Sequence, residues 1–216
     1  MMVKIALFFI LMMSHVAFCA AETSDDWSLL KPQTCRFSGE FTQRKLLQGL
    51  DQALVSKGVF FYDCNSGIIW QTLKPTTESL VLNKTGDSYL VKRLKIETIQ
   101  SAQNKFISQL IMALVSADKN YLSTAFEQSK NSSNTVILTP KNRRLKRAIK
   151  TITLAQSIEG QITFDMLDQN QQTTSIASTV LNSYTENTDQ DSAVDCATIA
   201  TLTNAECGLL NASNDQ

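Results

Sequence analysis

From Gly58 to Tyr62 the chain reads Gly-Val-Phe-Phe-Tyr, a strand-like run that is apolar at both parities. A strand with one solvated face alternates apolar and polar residues. Here Val59 and Phe61 point one way and Phe60 and Tyr62 the other, so the sheet around them must be covered on two faces or must line a cavity. The neighbouring segments are built to pair with it. Phe37, Gly39 and Phe41 alternate with Ser38, Glu40 and Thr42, the period of a half-buried strand, and Arg44 to Leu54 turns the chain toward the second strand.

The strands continue as a meander. Asn65-Ser66-Gly67 turns into Ile68 to Leu73, and Asn83 to Asp87 turns Leu80-Val81-Leu82 back into Tyr89-Leu90-Val91. Between Glu97 and Gln128 the period changes: Phe106, Leu110 and Leu114 lie four apart, joined by Ile107 and Ile111, which predicts a helical region with one broad apolar stripe. Asn131 to Asn134 is a polar break. Strand patterns return at Thr135 to Thr139, Ile149 to Leu154, Ile162-Phe164-Met166 and Ser175 to Leu181, with a Glu159-Gly160 turn between two of them. Seven or more strands interrupted by one helical region give an α+β fold, a curved antiparallel sheet with helices on one face.

The ends of the chain bound its chemistry. Lys4, an apolar run from Ile5 to Phe18 and the small-residue exit Cys19-Ala20-Ala21 have the form of a secretory signal peptide over residues 1–21. The run falls short of the roughly 20 apolar residues that a bilayer core requires. The whole chain has 20 basic and 20 acidic residues; loss of Lys4 leaves 19 and 20, a balance that implies neither nucleic acid nor an acidic polymer as partner. His15 is the one histidine and leaves with the same segment. Without an imidazole, His-paired nucleophiles, His-ligated zinc and His acid/base chemistry are excluded together. Glu40, Asp63 and Asp87 are expected on solvated surface, so no catalytic residue, metal site or cofactor is assigned. Residues 22–216 read as a single domain whose tail, from about residue 183, is polar.

Four cysteines remain, Cys35, Cys64, Cys196 and Cys207, and an even count in an exported chain is a disulfide framework. Three connectivities are possible. Antiparallel pairing of Phe37 to Gln43 with Gly58 to Asp63 would bring Cys35 beside Cys64, which leaves Cys196 with Cys207. A short amphipathic helix is expected over Thr23 to Pro32.

Phe-Thr-Gln at 41 to 43, Gly-Val-Phe-Phe-Tyr at 58 to 62, the turn leading to Trp70, Ser-Leu-Val-Leu at 79 to 82 and Ile-Leu-Thr-Pro-Lys at 137 to 141 occur in an order that resembles the LolA-like periplasmic carriers of outer-membrane lipoproteins. The resemblance implies an unclosed half β-barrel whose helices plug the concave side and create an apolar cavity for acyl chains. Residues placed at that cavity by the resemblance are Phe41, Phe60, Tyr62, Ile68 and Trp70, with Phe106, Leu110 and Leu114 on the covering helix. It also implies a periplasmic monomer, an acylated lipoprotein or lipid as cargo, and an inner-membrane donor and outer-membrane acceptor as partners. Such carriers have a basic residue followed by Pro at the end of the second strand, which latches the helical lid. Those positions are Cys64 and Asn65 here, and the Cys196 and Cys207 segment stands where the family has its final strands. An envelope sensor or scaffold that binds a lipidated or peptide partner without transferring it is the alternative function. The basic run Lys141 to Arg147, with Lys150 beyond, reads as a solvated strand connection, or else as a dock for anionic headgroups or an acidic partner.

Overall fold

The computed structural model describes residues 34–93, 95–99, 102–132, 134–157, 161–184, 196 and 202–211, without the side chains of 102–107 and 130–132. The expected signal peptide and the helix over Thr23 to Pro32 lie outside them, as does the Glu159-Gly160 turn.

Eleven strands form one sheet: β1 (Arg36–Leu46), β2 (Leu54–Asp63), β3 (Gly67–Lys74), β4 (Glu78–Asn83), β5 (Ser88–Lys92), β6 (Lys95–Thr98), β7 (Phe126–Ser132), β8 (Thr135–Pro140), β9 (Ile149–Gln156), β10 (Ile162–Asp168) and β11 (Thr173–Tyr184). Every pairing is antiparallel, in the order β6-β5-β4-β3-β2-β1-β11-β10-β9-β8-β7. The two chain halves are each a meander, and they join where β1 pairs with β11. Among the described residues β6 and β7 are the two edge strands and do not pair with each other, so the sheet is not closed.

Four helices complete the described fold: α1 (Ala102–Val115), α2 (Lys119–Ala125), α3 (Arg143–Ala148) and α4 (Asn204–Asn211). α1 contributes to both inner cores. Its Leu110, Ala113 and Leu114 pack with Val136, Leu138, Ile152, Leu154 and Phe164 of β8–β10. Its Ile111, Met112 and Val115 pack against Phe37, Phe41, Phe60, Ile68, Trp70 and Leu82 of β1–β4. In a flat sheet β4 and β8, seven spacings apart, would be separated by roughly 34 Å, whereas a helix with its side chains is only about 10–12 Å across. The sheet therefore curls around α1, and Ile176 of the junction strand β11 packs against both cores.

The predicted helical region is shorter than its polar flanks imply. Glu97 lies in edge strand β6 and Gln128 in edge strand β7, because Lys95–Lys92 and Glu127–Thr139 pairings capture both ends for the sheet. Arg44 to Leu54 is not a turn throughout either: β1 and β2 continue as a paired hairpin to Lys45 and Leu54. The basic connection after β8 is a helical turn, α3, with the Asn142 side chain accepting a hydrogen bond from Leu145 N at 2.8 Å and Leu145 buried beneath it.

The tail segment is the second source of burial. α4 lies on the opposite face of β2–β4 from α1, where Phe61, Ile69 and Val81 pack with Leu202, Cys207 and Leu210. Central β3 is consequently buried on both sides, with Ile68 and Ile69 each fully enclosed. Thr203 to Glu206 forms a reciprocal cap: Glu206 Oε2 accepts from Thr203 N at 2.7 Å, while Thr203 Oγ1 accepts from Glu206 N at 3.5 Å. The other carboxylate oxygen of Glu206 reaches into the sheet, accepting from Gln71 Nε2 at 3.2 Å and from the Ser79 hydroxyl. Asn83 Nδ2 donates to Leu209 O at 3.0 Å, and the Cys196–Cys207 disulfide staples the segment to itself. Cys35–Cys64 is the other disulfide, joining the start of β1 to the end of β2.

Candidate functional site: the aromatic layer beneath α1

Antiparallel register brings the aromatic residues of β1, β2 and β3 into one layer. Phe60 stands directly opposite both Gly39 on β1 and Trp70 on β3, and Phe41 stands opposite Gly58. The two glycines are what let the rings lie flat. A Cβ at Gly39 would sit 2.6 Å from the Phe60 ring and one at Gly58 2.7 Å from the Phe41 ring, well inside contact distance. Phe41 thus leans across Gly58 to stack on Trp70 with centroids 4.0 Å apart, and Phe60 stacks on the indole at 5.7 Å. Phe37 continues the layer, edge-on to Phe60 at 6.1 Å and tilted against Tyr62 at 5.0 Å.

Five of the residues expected at the cavity, Phe41, Phe60, Tyr62, Ile68 and Trp70, form this layer together. Leu110 and Leu114 do not meet it. They are buried on the other flank of α1, and the residues that cover the aromatics are Ile111, Met112 and Val115. Phe106 lies in α1, with its side chain outside the described residues. Phe37 and Leu82 also belong to the layer; Phe37 shares the parity of Phe41, and Leu82 is paired with Ile68 across β3 and β4.

The layer is filled by the protein's own side chains, with Trp70 only 8% exposed. Open space begins at its edge. A cleft of about 240 Å³ lies where β2 ends and β3 starts, lined by Tyr62, Asp63 and Gly67 on the sheet, Lys84 in the turn after β4, Met112 on α1, Ser116 just after α1 and Tyr121 on α2. Tyr62 and Met112 belong to both the cleft and the layer, so the cleft adjoins the aromatics; a second cavity of about 310 Å³ borders the layer at Phe41. Burial pushes the Tyr62 phenol above its ordinary value, opposed by its hydrogen bond to Ser116 and reinforced by the negative charges of Asp63 and Asp118. That hydrogen bond, just beyond the C-terminal end of α1, and the Ser88–Ser108 hydroxyl contact at 3.5 Å, midway along it, tie the helix to the sheet.

Asp63 is not the solvated carboxylate expected from its turn position. It is buried, pairs with Arg36 at 2.5 Å and accepts from Asn65 N at 2.7 Å, which fixes the β2–β3 turn. Cys35, Asp63 and Cys64 lie close enough to hold a metal ion, yet both sulfurs are consumed in a disulfide and supply no thiolate.

The family model for the outer membrane lipoprotein carrier protein LolA matches residues 33–193. The chain belongs to the LolA family. Among solved structures it is similar to a LolA superfamily protein from Nitrosomonas europaea, at 9% identity and a TM-score of 0.44, covering 74% of this chain and 92% of that one. A search of curated protein sequences finds no match. The matched segment includes all eleven strands, α1 and the aromatic layer, and ends before α4. Family membership fits a carrier fold that binds lipoprotein or lipid.

Proposed function

We propose that this LolA-family chain is a periplasmic carrier that takes the acyl chains of a lipoprotein or another lipid between the aromatic layer and α1 and shuttles them toward the outer membrane. The observation that carries the reading is the layer itself, a continuous apolar bed of Phe37, Phe41, Phe60, Ile68 and Trp70 covered by one helix whose described polar ties to the sheet are hydroxyl contacts. Sheltering a hydrocarbon tail gains about 0.8 kcal/mol per buried methylene, so a sixteen-carbon chain needs more than ~10 kcal/mol of apolar contact. Ligand pockets are commonly about 300–1,000 Å³; the 240 Å³ cleft beside Tyr62 falls below that range, and the 310 Å³ cavity beside Phe41 is lined largely by polar and charged residues, Glu40, Lys57 and Lys74 among them. Cargo would therefore enter as α1 moves aside, and Ile111, Met112 and Val115 would refill the bed on release. In this reading residues 1–21 are a cleaved signal peptide, residues 22–216 act as one monomeric carrier domain, and membrane proteins serve as donor and acceptor.

A sensor or scaffold that binds without transferring is the second reading. It is favoured by Cys64 and Asn65 at the positions of the family's latch, since Cys64 is locked to Cys35. Delipidated protein assayed for movement of acylated cargo between donor and acceptor membranes separates the two. A carrier binds and releases, whereas a scaffold retains. Native mass spectrometry of protein purified from the periplasm tests the lipid site, and absence of any co-purifying or added lipid would overturn the carrier reading and leave only a scaffold for a peptide partner.

A further inference from the structure

Cations and exposed aliphatic residues gather at one end of the sheet, the end at which β1 finishes and β2 begins. The register defines that end. Leu46 of β1 pairs with Thr173 of β11, Thr173 with Leu167 of β10, and the adjacent Asp168 with Ile149 at the start of β9, so the β1–β2 tip, the β10–β11 turn and α3 share it. Across the other half, Lys57 pairs with Lys74 and the β5–β6 turn follows Lys92.

Between Lys141 and Lys150 six of ten residues are cationic, none is acidic, and all six are exposed. The other fourteen Lys and Arg of the chain stand against twenty acids, so the positive charge is local. Lys57, Lys74, Arg93 and Lys95 extend it along the strand ends and are also exposed. Among the described residues the ion pairs are Arg36–Asp63 and Lys92–Glu78, and neither uses these ten cations. The acids at this end are few. Glu78 is paired, Asp168 is folded into its turn with backbone N–H donors at 2.8 Å, and Asp51 and Glu127 are exposed. Beside the charge, β2 runs three residues past its last pairing with β3, and this tip exposes Leu46 at 48%, Leu50 at 46% and Leu54 at 52%.

We propose that this end docks on the surface of an anionic lipid bilayer, with Leu46, Leu50 and Leu54 entering the interface and the α3 cations meeting lipid phosphates. The observations favour a bilayer over an acidic protein because the charge is spread along the ends of the strands, a shape that suits a broad surface, with aliphatic side chains projecting from the same rim. The proposal is independent of the acyl-binding bed: loss of fatty-acid binding at the aromatic layer would overturn the carrier reading and leave this one standing.

Flotation of periplasm-purified protein with phosphatidylcholine vesicles, with and without phosphatidylglycerol, tests it. Binding is expected only with the anionic lipid and is expected to fall as salt screens the charges. Each cation near such a surface is worth about fivefold in affinity. R143Q/R144Q/R147Q should therefore weaken binding on the order of a hundredfold, and L50S/L54S should weaken it severalfold at unchanged salt dependence; near-UV circular dichroism verifies that both remain folded. Equal binding to neutral vesicles, indifference to the triple substitution, or capture by soluble polyglutamate with no vesicle binding would each overturn the assignment.

Discussion

Trp70→Ala probes the aromatic layer where its packing is densest. The indole is buried, stacked on Phe41 at 4.0 Å and on Phe60 at 5.7 Å, and capped by α1. Truncating a buried Trp costs about 3–5 kcal/mol, a figure that contains the transfer term, the cavity left behind and the lost ring pairs. Domains of ordinary stability have about 5–15 kcal/mol in hand, so the variant should fold. At about 2–4 °C per kcal/mol for a chain of this size, its melting temperature should drop by roughly 6–20 °C. Calorimetry with the disulfides intact reads that loss. The same variant tests the bed. If an acyl chain lies where Trp70 now meets α1, the closed form loses more than the loaded form, and saturating palmitate should raise the melting temperature of Trp70→Ala more than that of the natural protein. A drop below about 2 °C would contradict the packing; an equal palmitate effect in both proteins would contradict the placement of the ligand.

Three further outcomes follow from particular contacts. Gly58→Ala should destabilise by about 1–3 kcal/mol or more, since its Cβ meets both the Phe41 ring and the Gln71 carbonyl oxygen, and should alter the indole band in near-UV circular dichroism as the Phe41–Trp70 stack is displaced. Glu206→Ala leaves the Ser79 hydroxyl and Thr203 N without their acceptor and Gln71 Nε2 with Ser79 Oγ alone, at about 1–3 kcal/mol, and limited proteolysis should cut the tail faster while the sheet stays intact. The raised Tyr62 means that the folded protein keeps a proton there which the unfolded chain releases above pH 10. Stability present below that pH should therefore decline as pH rises through the folded value, and Tyr62→Phe should reduce the decline, leaving the part due to Tyr121, which is raised by the same desolvation.

The double-sided burial of the second and third strands was legible because Gly-Val-Phe-Phe-Tyr carries apolar groups at both parities. What covers the far face was not, since Leu202, Cys207 and Leu210 approach Phe61 and Ile69 from more than 130 residues away. Edge strands were equally hidden. Phe126–Ser132 is polar after its first residue, and its conformation is imposed by pairing with β8. The apolar stripe of α1 was visible, but a helix wedged between two flanks of one sheet is apolar on both sides, and periodicity could not say which side met the aromatics. Leu110 and Leu114 took the β8–β10 flank, leaving Ile111, Met112 and Val115 for the layer. The α3 turn had its signal in Asn142, a side chain suited to cap the following N–H groups, with Leu145 as its buried anchor. The pairing Cys35–Cys64 followed from antiparallel geometry alone and is the one formed.

The central claim is that α1 yields its place over Trp70 to an acyl chain. Hydrogen exchange of periplasm-purified, delipidated protein, with and without an acylated peptide, measures this directly. The account predicts faster exchange across Gln109–Val115 and slower exchange in β2 and β3 when the peptide is bound. Unchanged protection of α1 in a protein that demonstrably binds the peptide would contradict it.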